Sequence, residues 1–131
     1  MKIAVDTNVL VRAAVRDHAE QTDAATKLMG RAEMVAIALP CLCELVWVLR
    51  SVYRFRQSDI AKAIRILLAA ENVETNRPAV DAGLAVLDAG GDFADGAIEY
   101  EGRWLGAETF VSFDRKAVEM LAARGVPVRQ L

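Results

Sequence analysis

The sequence predicts a three-layer α/β/α sandwich with a mainly parallel central sheet of about five strands, and three observations carry that prediction. Apolar runs of strand length alternate along the chain with segments of helical periodicity. The runs are continuously apolar rather than alternating, as strands covered on both faces are. Hydrophobic residues make up 54% of the chain but aromatics only 6%, so Ala, Val, Leu and Ile must fill the interior, which suits layered helices and strands. At 131 residues the chain reads as one domain, 1–131, with a core of its own.

Taken in order, residues 2–5 form a first strand, Asp6-Thr7-Asn8 a turn, and residues 9–15 a short helix. Ala25, Leu28 and Met29 at helical spacing predict a helix over 18–31, and the apolar run 34–39 a second strand. Pro40 then opens a helix through CLCELVWVLRSVYRF, since proline is tolerated in a first helical turn. Ser58 is the expected cap of the next helix, which carries Ile60, Ile64, Leu67 and Leu68 on one side. A brief strand at 73–75 precedes a helix that starts at Asn76 or Pro78 and carries Val80, Leu84 and Leu87. Gly90-Gly91 breaks it, and another helix starts between Asp92 and Asp95 and runs to about Leu105. Residues 109–111 make a strand, a helix runs from about Asp114 to Gly125, and 126–128 closes the chain as an edge strand, because Pro127 cannot donate to a ladder.

Several classes are excluded by the same reading. No apolar stretch approaches the ~20 residues of a membrane span. Asp6 interrupts the region where a signal peptide needs an unbroken apolar run, so a cytoplasmic protein is expected. Cys41 and Cys43 lie two apart in a helical run, which points them to different sides and predicts buried free thiols. The net charge of −2 gives no basic footprint for binding nucleic acid by charge alone, although metal ions held by carboxylates reverse the local sign of an acidic site.

Eighteen acids are spread along the chain, so the informative ones are those placed where a charge is costly. Asp6 and Asp114 each follow an apolar strand, at the strand ends where parallel sheets bind ligands. Either alone reads equally well as a helix cap. Glu44 is the only charged side chain in the nine residues 41–49, on a helix apolar nearly all round, and a buried carboxylate there requires a partner or a metal. A buried salt bridge to an arginine is the structural alternative. Asp92 and Asp95, three apart at a helix start, share a face, so that one caps while the other reaches out. An oxygen-only set of Asp6, Glu44, Asp92 or Asp95, and Asp114 suits Mg²⁺ or Mn²⁺ and argues against zinc, with the lone His18 a bystander.

At these residues the sequence resembles the PIN-domain family, and within it the VapC-type toxins of type II toxin–antitoxin systems. The resembling segments are VDTNVLVR at 5–12, PCLCELVWVLR at 40–50, GDFADGAIEY at 91–100 and SFDRK at 112–116, which are specific in this order and spacing. The resemblance implies a PIN-like fold and metal-dependent endoribonuclease activity. It implies a catalytic quartet of Asp6, Glu44, Asp95 and Asp114, supported by Asn8, Asp92 and Ser112. It also implies a cognate antitoxin protein and a homodimer as partners, beside the RNA substrate. Gly96 stands where family members often carry Ala, and Ser112 where Thr is common; neither change removes an acid.

Phosphodiester hydrolysis needs a water activated near neutral pH and charge neutralised on the phosphoryl oxygens, and Mg²⁺ or Mn²⁺ serves both needs. Asp6 and Asp95 are therefore assigned as metal ligands, with Glu44 and Asp114 completing the shell and orienting the water. One ion or two would be served by such a set. Arg12, Arg50, Arg54, Arg115 and Lys116 are candidate phosphate contacts, the last two favoured by their place beside Asp114. The alternatives are a non-catalytic PIN-like module that binds RNA or protein, a receiver-type phosphoacceptor domain, and a haloacid-dehalogenase-like phosphatase. A receiver needs an acceptor Asp where residues 73–76 read Val-Glu-Thr-Asn, and the phosphatase needs a second Asp where Asn8 stands. The apolar residues 45–49 exceed what one core face needs, which marks that helix as a possible partner surface beside its core role.

Overall fold

A computed structural model describes all residues, 1–131. The fold is of the α/β class the sequence predicts, rich in helix and with every strand pairing parallel. The chain divides into two compact units, residues 1–76 and 77–131.

The N-terminal unit runs β1 (Lys2–Ala4), α1 (Thr7–Val15), α2 (Ala19–Arg31), β2 (Met34–Ala36), α3 (Leu39–Ser51), α4 (Gln57–Ala69) and β3 (Val73–Glu74). Its three strands pair in the order β1-β2-β3, with Ile3 opposite Val35 and Val35 opposite Val73. Val35 and Ile37 of the central segment are buried with Leu42, Leu45 and Leu49 of α3 and Ile60 and Ile64 of α4. The C-terminal unit runs α5 (Arg77–Asp88), α6 (Phe93–Trp104), β4 (Phe110–Ser112), α7 (Arg115–Ala123) and β5 (Val128–Gln130). Here β4 and β5 pair with each other, so the five expected strands form a three-stranded and a two-stranded ladder. Val80, Leu87, Phe93 and Leu121 are buried in this unit.

The boundaries that differ from expectation have local causes. The apolar run 34–39 is only half strand: Ile37 N–H still donates to Glu74 O at 2.9 Å, but Ala38 caps α3 and Leu39 and Pro40 are its first turn. Ser58 does not cap α4. The cap position is Arg56, which makes no side-chain capping bond, and Ser58 lies inside the helix. The helix through 40–55 stops at Ser51, where Phe55 N–H reaches back to Leu49 O at 2.9 Å and Arg54 adopts φ 59°. A left-handed arginine leaves no glycine signal to read. The last strand begins after Pro127 rather than at Val126; Pro127 supplies only its carbonyl, which accepts from Phe110 N–H at 2.9 Å.

Candidate active site

In the N-terminal unit Asp6 lies two residues past β1 and is the N-cap of α1, its Oδ1 accepting from Thr7 N–H at 2.7 Å. Thr7 follows in the first turn, only 8% exposed. Its hydroxyl donates to Glu44 Oε2 on α3 at 2.8 Å, so the two acids of this unit are connected through one threonine. Asn8 is exposed and lines a cavity of about 530 Å³ beside α1 and α2, together with Val9, Arg12 and Leu28. It makes no hydrogen bond to either acid.

Glu44 corrects the sequence reading. The buried face of α3 is Leu42, Leu45, Val46 and Leu49, and Glu44 falls outside that stripe, on the exposed side with Trp47. The helix is apolar on more of its surface than it buries, which is why composition alone placed the charge inside. Its partner is a threonine hydroxyl rather than an arginine. The chain's buried acid is Glu99 of α6, which the sequence reading passed over. Glu99 is paired with Arg103 one turn on; its Oε1 is in close ion-pair contact with the guanidinium, though not in hydrogen-bond geometry. The Glu-x-x-x-Arg spacing was the available signal, but such pairs are common on solvated helices.

In the C-terminal unit Asp92 is the N-cap of α6, accepting from Ala94 N–H at 3.2 Å through Oδ1. Asp95 sits half-buried in the first turn. Of the pair, Asp92 is the one that caps the helix. Asp114 is the N-cap of α7, with Oδ1 accepting from Ala117 N–H at 3.1 Å. Ser112 Oγ in turn accepts from Asp114 N–H at 2.9 Å and holds the turn that presents this carboxylate.

Two of these acids act on the third. The Asp95 carboxyl is raised from 3.8 to about 6, first by burial, then by the negative charges of Asp92 and Asp114. Packing places it there. A Cβ on Gly96 would collide with the Ala82 carbonyl and lie 2.9 Å from Gly83 Cα, and one on Gly83 would lie 2.6 Å from the Phe93 ring. The two glycines thus allow α5 and α6 to approach closely, and Asp95 is fixed beside that contact.

Three of the acids therefore cap helices, which is the structural role each alone allowed. Each cap uses only Oδ1, and the second oxygen of Asp6, Asp92 and Asp114 accepts no hydrogen bond. As the side chains lie, no three Asp, Glu, His or Cys groups form a metal-ligating cluster. The donor set, carboxylate oxygens with a spare lone pair and one raised carboxyl among them, fits a hard divalent cation. Among the cations, Arg12 is paired with Asp17 and Arg115 with Glu119, both at 2.9 Å, while Lys116 is exposed and without an ion-pair partner. His18 caps α2, its Nδ1 accepting from Gln21 N–H at 3.1 Å, consistent with a bystander. Cys41 and Cys43 form no disulfide and are half-buried rather than buried.

No helix is long and apolar enough to cross a membrane. No curated protein matches the chain. The PIN domain family matches residues 3–118, a span that takes in Asp6, Glu44, Asp92, Asp95 and Asp114, and the chain belongs to that family of nucleases, which typically use divalent metal ions.

Proposed function

We propose that the protein is a Mg²⁺- or Mn²⁺-dependent endoribonuclease and the toxin of a toxin–antitoxin pair, with Asp6, Glu44, Asp95 and Asp114 as its catalytic carboxylates. The observation that carries this reading is Asp95, half-buried and raised to about 6 beside two further acids. Asp92 and Asp114 are returned a helix cap each, but holding the half-buried Asp95 beside their charges costs stability with no cap in exchange, and it suits a site that receives a cation. A bound divalent ion would supply Lewis acidity and lower the pKa of a water. Asp6 and Asp95 would hold it through their oxygens, and Glu44 and Asp114 would complete the shell or orient the attacking water. Thr7 fixes the Glu44 carboxylate, and Ser112 fixes the turn beneath Asp114. Asn8 and Asp92 are supporting residues on this reading, Asp92 through its charge on Asp95.

One PIN domain over residues 1–131 goes with this proposal, supported by a family match that runs across both compact units. So do a cytoplasmic location, a cognate antitoxin and a homodimer. On α3 the surface available to a partner is narrower than the sequence suggested, since Leu45, Val46 and Leu49 are buried and Trp47 alone is broadly exposed, at 64%.

A non-catalytic PIN-like module is the second reading, favoured by the absence of a ready-made three-donor cluster. A ribonuclease assay with Mg²⁺, with Mn²⁺ and with chelator, on wild type, Asp6→Asn and Asp95→Asn, separates the two. Hydrolysis lost on chelation and in both variants is expected. Equal activity in wild type and variants rules out the carboxylate mechanism, and binding without hydrolysis selects the second reading.

A further inference from the structure

We propose that Phe113 is the base-stacking residue of the site, the aromatic platform on which a nucleobase of a single-stranded RNA rests while the neighbouring phosphate meets the carboxylates. This deepens the nuclease reading and rests on it.

Of the four phenylalanines, Phe93 is buried and Phe55 and Phe110 are half-buried, but Phe113 is 79% exposed. An exposed ring is not unusual by itself. Its position is the informative part. Phe113 sits between Ser112, whose hydroxyl holds the turn, and Asp114, whose charge acts on Asp95, so the ring is displayed on a fixed turn rather than on a mobile loop. Adjacent Cα atoms are about 3.8 Å apart, so a strand with a phosphate at Asp114 brings its next nucleoside within reach of the ring. Three residues on, Lys116 is an exposed cation without an ion-pair partner, available to a phosphate. An exposed aromatic beside an unpaired cation is the pairing that single-stranded nucleic acids use, bases on the ring and backbone on the charge. Stacking is indifferent to base identity, so the residue would select unpaired over paired RNA rather than one sequence.

The test measures anisotropy of a short fluorescein-labelled single-stranded RNA and of its duplex, in the Asp95→Asn background so that the probe stays intact. Phe113→Ala is expected to weaken single-strand binding by roughly 10- to 100-fold, with Phe113→Tyr and Phe113→Trp retaining it and the duplex binding weakly throughout. In the hydrolysing protein the same Ala variant should raise KM more than it lowers kcat. Unchanged affinity in Phe113→Ala overturns the proposal, as does equal loss in the Tyr and Trp variants. A shift in oligomeric state without a change in RNA affinity also overturns it, making the ring a protein contact that extends the exposed Val111. The two ideas fail separately. A wild type that hydrolyses RNA with Phe113→Ala unaffected defeats only the stacking role, and ring-dependent binding without hydrolysis defeats only the nuclease reading.

Discussion

The acids of the two units are held in opposite ways. In the N-terminal unit Glu44 is exposed and steadied by a hydroxyl donor, and Asp6 caps a helix in the open. In the C-terminal unit Asp95 is half-buried against two like charges and raised to about 6. Solvated acids with a donor are inexpensive and can be kept for orientation, whereas a crowded, partly desolvated one is a standing cost that a cation relieves. Of the two proposed ligands, Asp95 is thus the one that gains more from a bound cation.

The sharpest break of this comparison is Asp95→Asn. It should lower metal-dependent hydrolysis by roughly 100-fold or more, beyond the range of supporting-residue changes. The same change should raise the Tm of the metal-free protein by a few degrees, about 1 kcal/mol once the partial exposure of the site is allowed for. Thermal melts in chelator and an activity assay check both halves. Loss of activity together with loss of stability would mean that Asp95 is a structural acid and that the contrast between the units is misdrawn.

Gly96→Ala tests the backbone beneath that site. Ala has the better helix propensity, yet the added Cβ meets the Ala82 carbonyl and the Gly83 backbone, which cannot swing aside as a side chain does. A net loss of about 1–3 kcal/mol is expected from separating α5 and α6. Chemical denaturation measures it, and a neutral result would show that the two helices adjust freely and do not fix Asp95.

Thr7→Val addresses the N-terminal unit. Removing the hydroxyl leaves an exposed Glu44, so stability should change by about 1 kcal/mol or less. Activity should fall by roughly 10-fold, because the carboxylate loses its orientation and not its charge. Glu44→Gln should cost more than Thr7→Val. The reverse order would make Thr7 the functional group and Glu44 its accessory.

How much of this was legible from residues alone follows the physics of each signal. Periodicity and glycine breaks exposed all twelve elements, because packing repeats that signal over many residues. Single-residue boundaries such as Arg56 and Arg54 were not legible, since a cap without a side-chain bond and a left-handed arginine leave no compositional trace. For the candidate site, spacing placed Asp92 and Asp95 at a helix start, and Asp92 is its cap. Burial was misjudged at Glu44 and missed at Glu99, because helix composition does not say which face is covered. Thr7 was overlooked for the same reason: its role depends on a residue 37 positions away.

The smallest expected effect isolates electrostatics from everything else. Asp92→Asn keeps a good capping residue on α6, as Asn accepts an N–H as readily as Asp does, but removes one of the two charges acting on Asp95. In the wild type the folded-state value of about 6 lies above the ordinary 3.8, so the folded chain binds more protons than the unfolded chain between those values. Stability on this account falls as pH rises through that window, the reverse of a carboxylate held by a cationic partner. The Asn variant should lower the Asp95 value and flatten the slope of Tm between the two pH limits, leaving the burial contribution behind. Saturating Mg²⁺ should flatten it further in the wild type, since a bound cation favours the ionised form and releases the proton. An unchanged slope in the Asn variant would place the whole effect in burial, and the C-terminal acids would then be neighbours in space without being a coupled group.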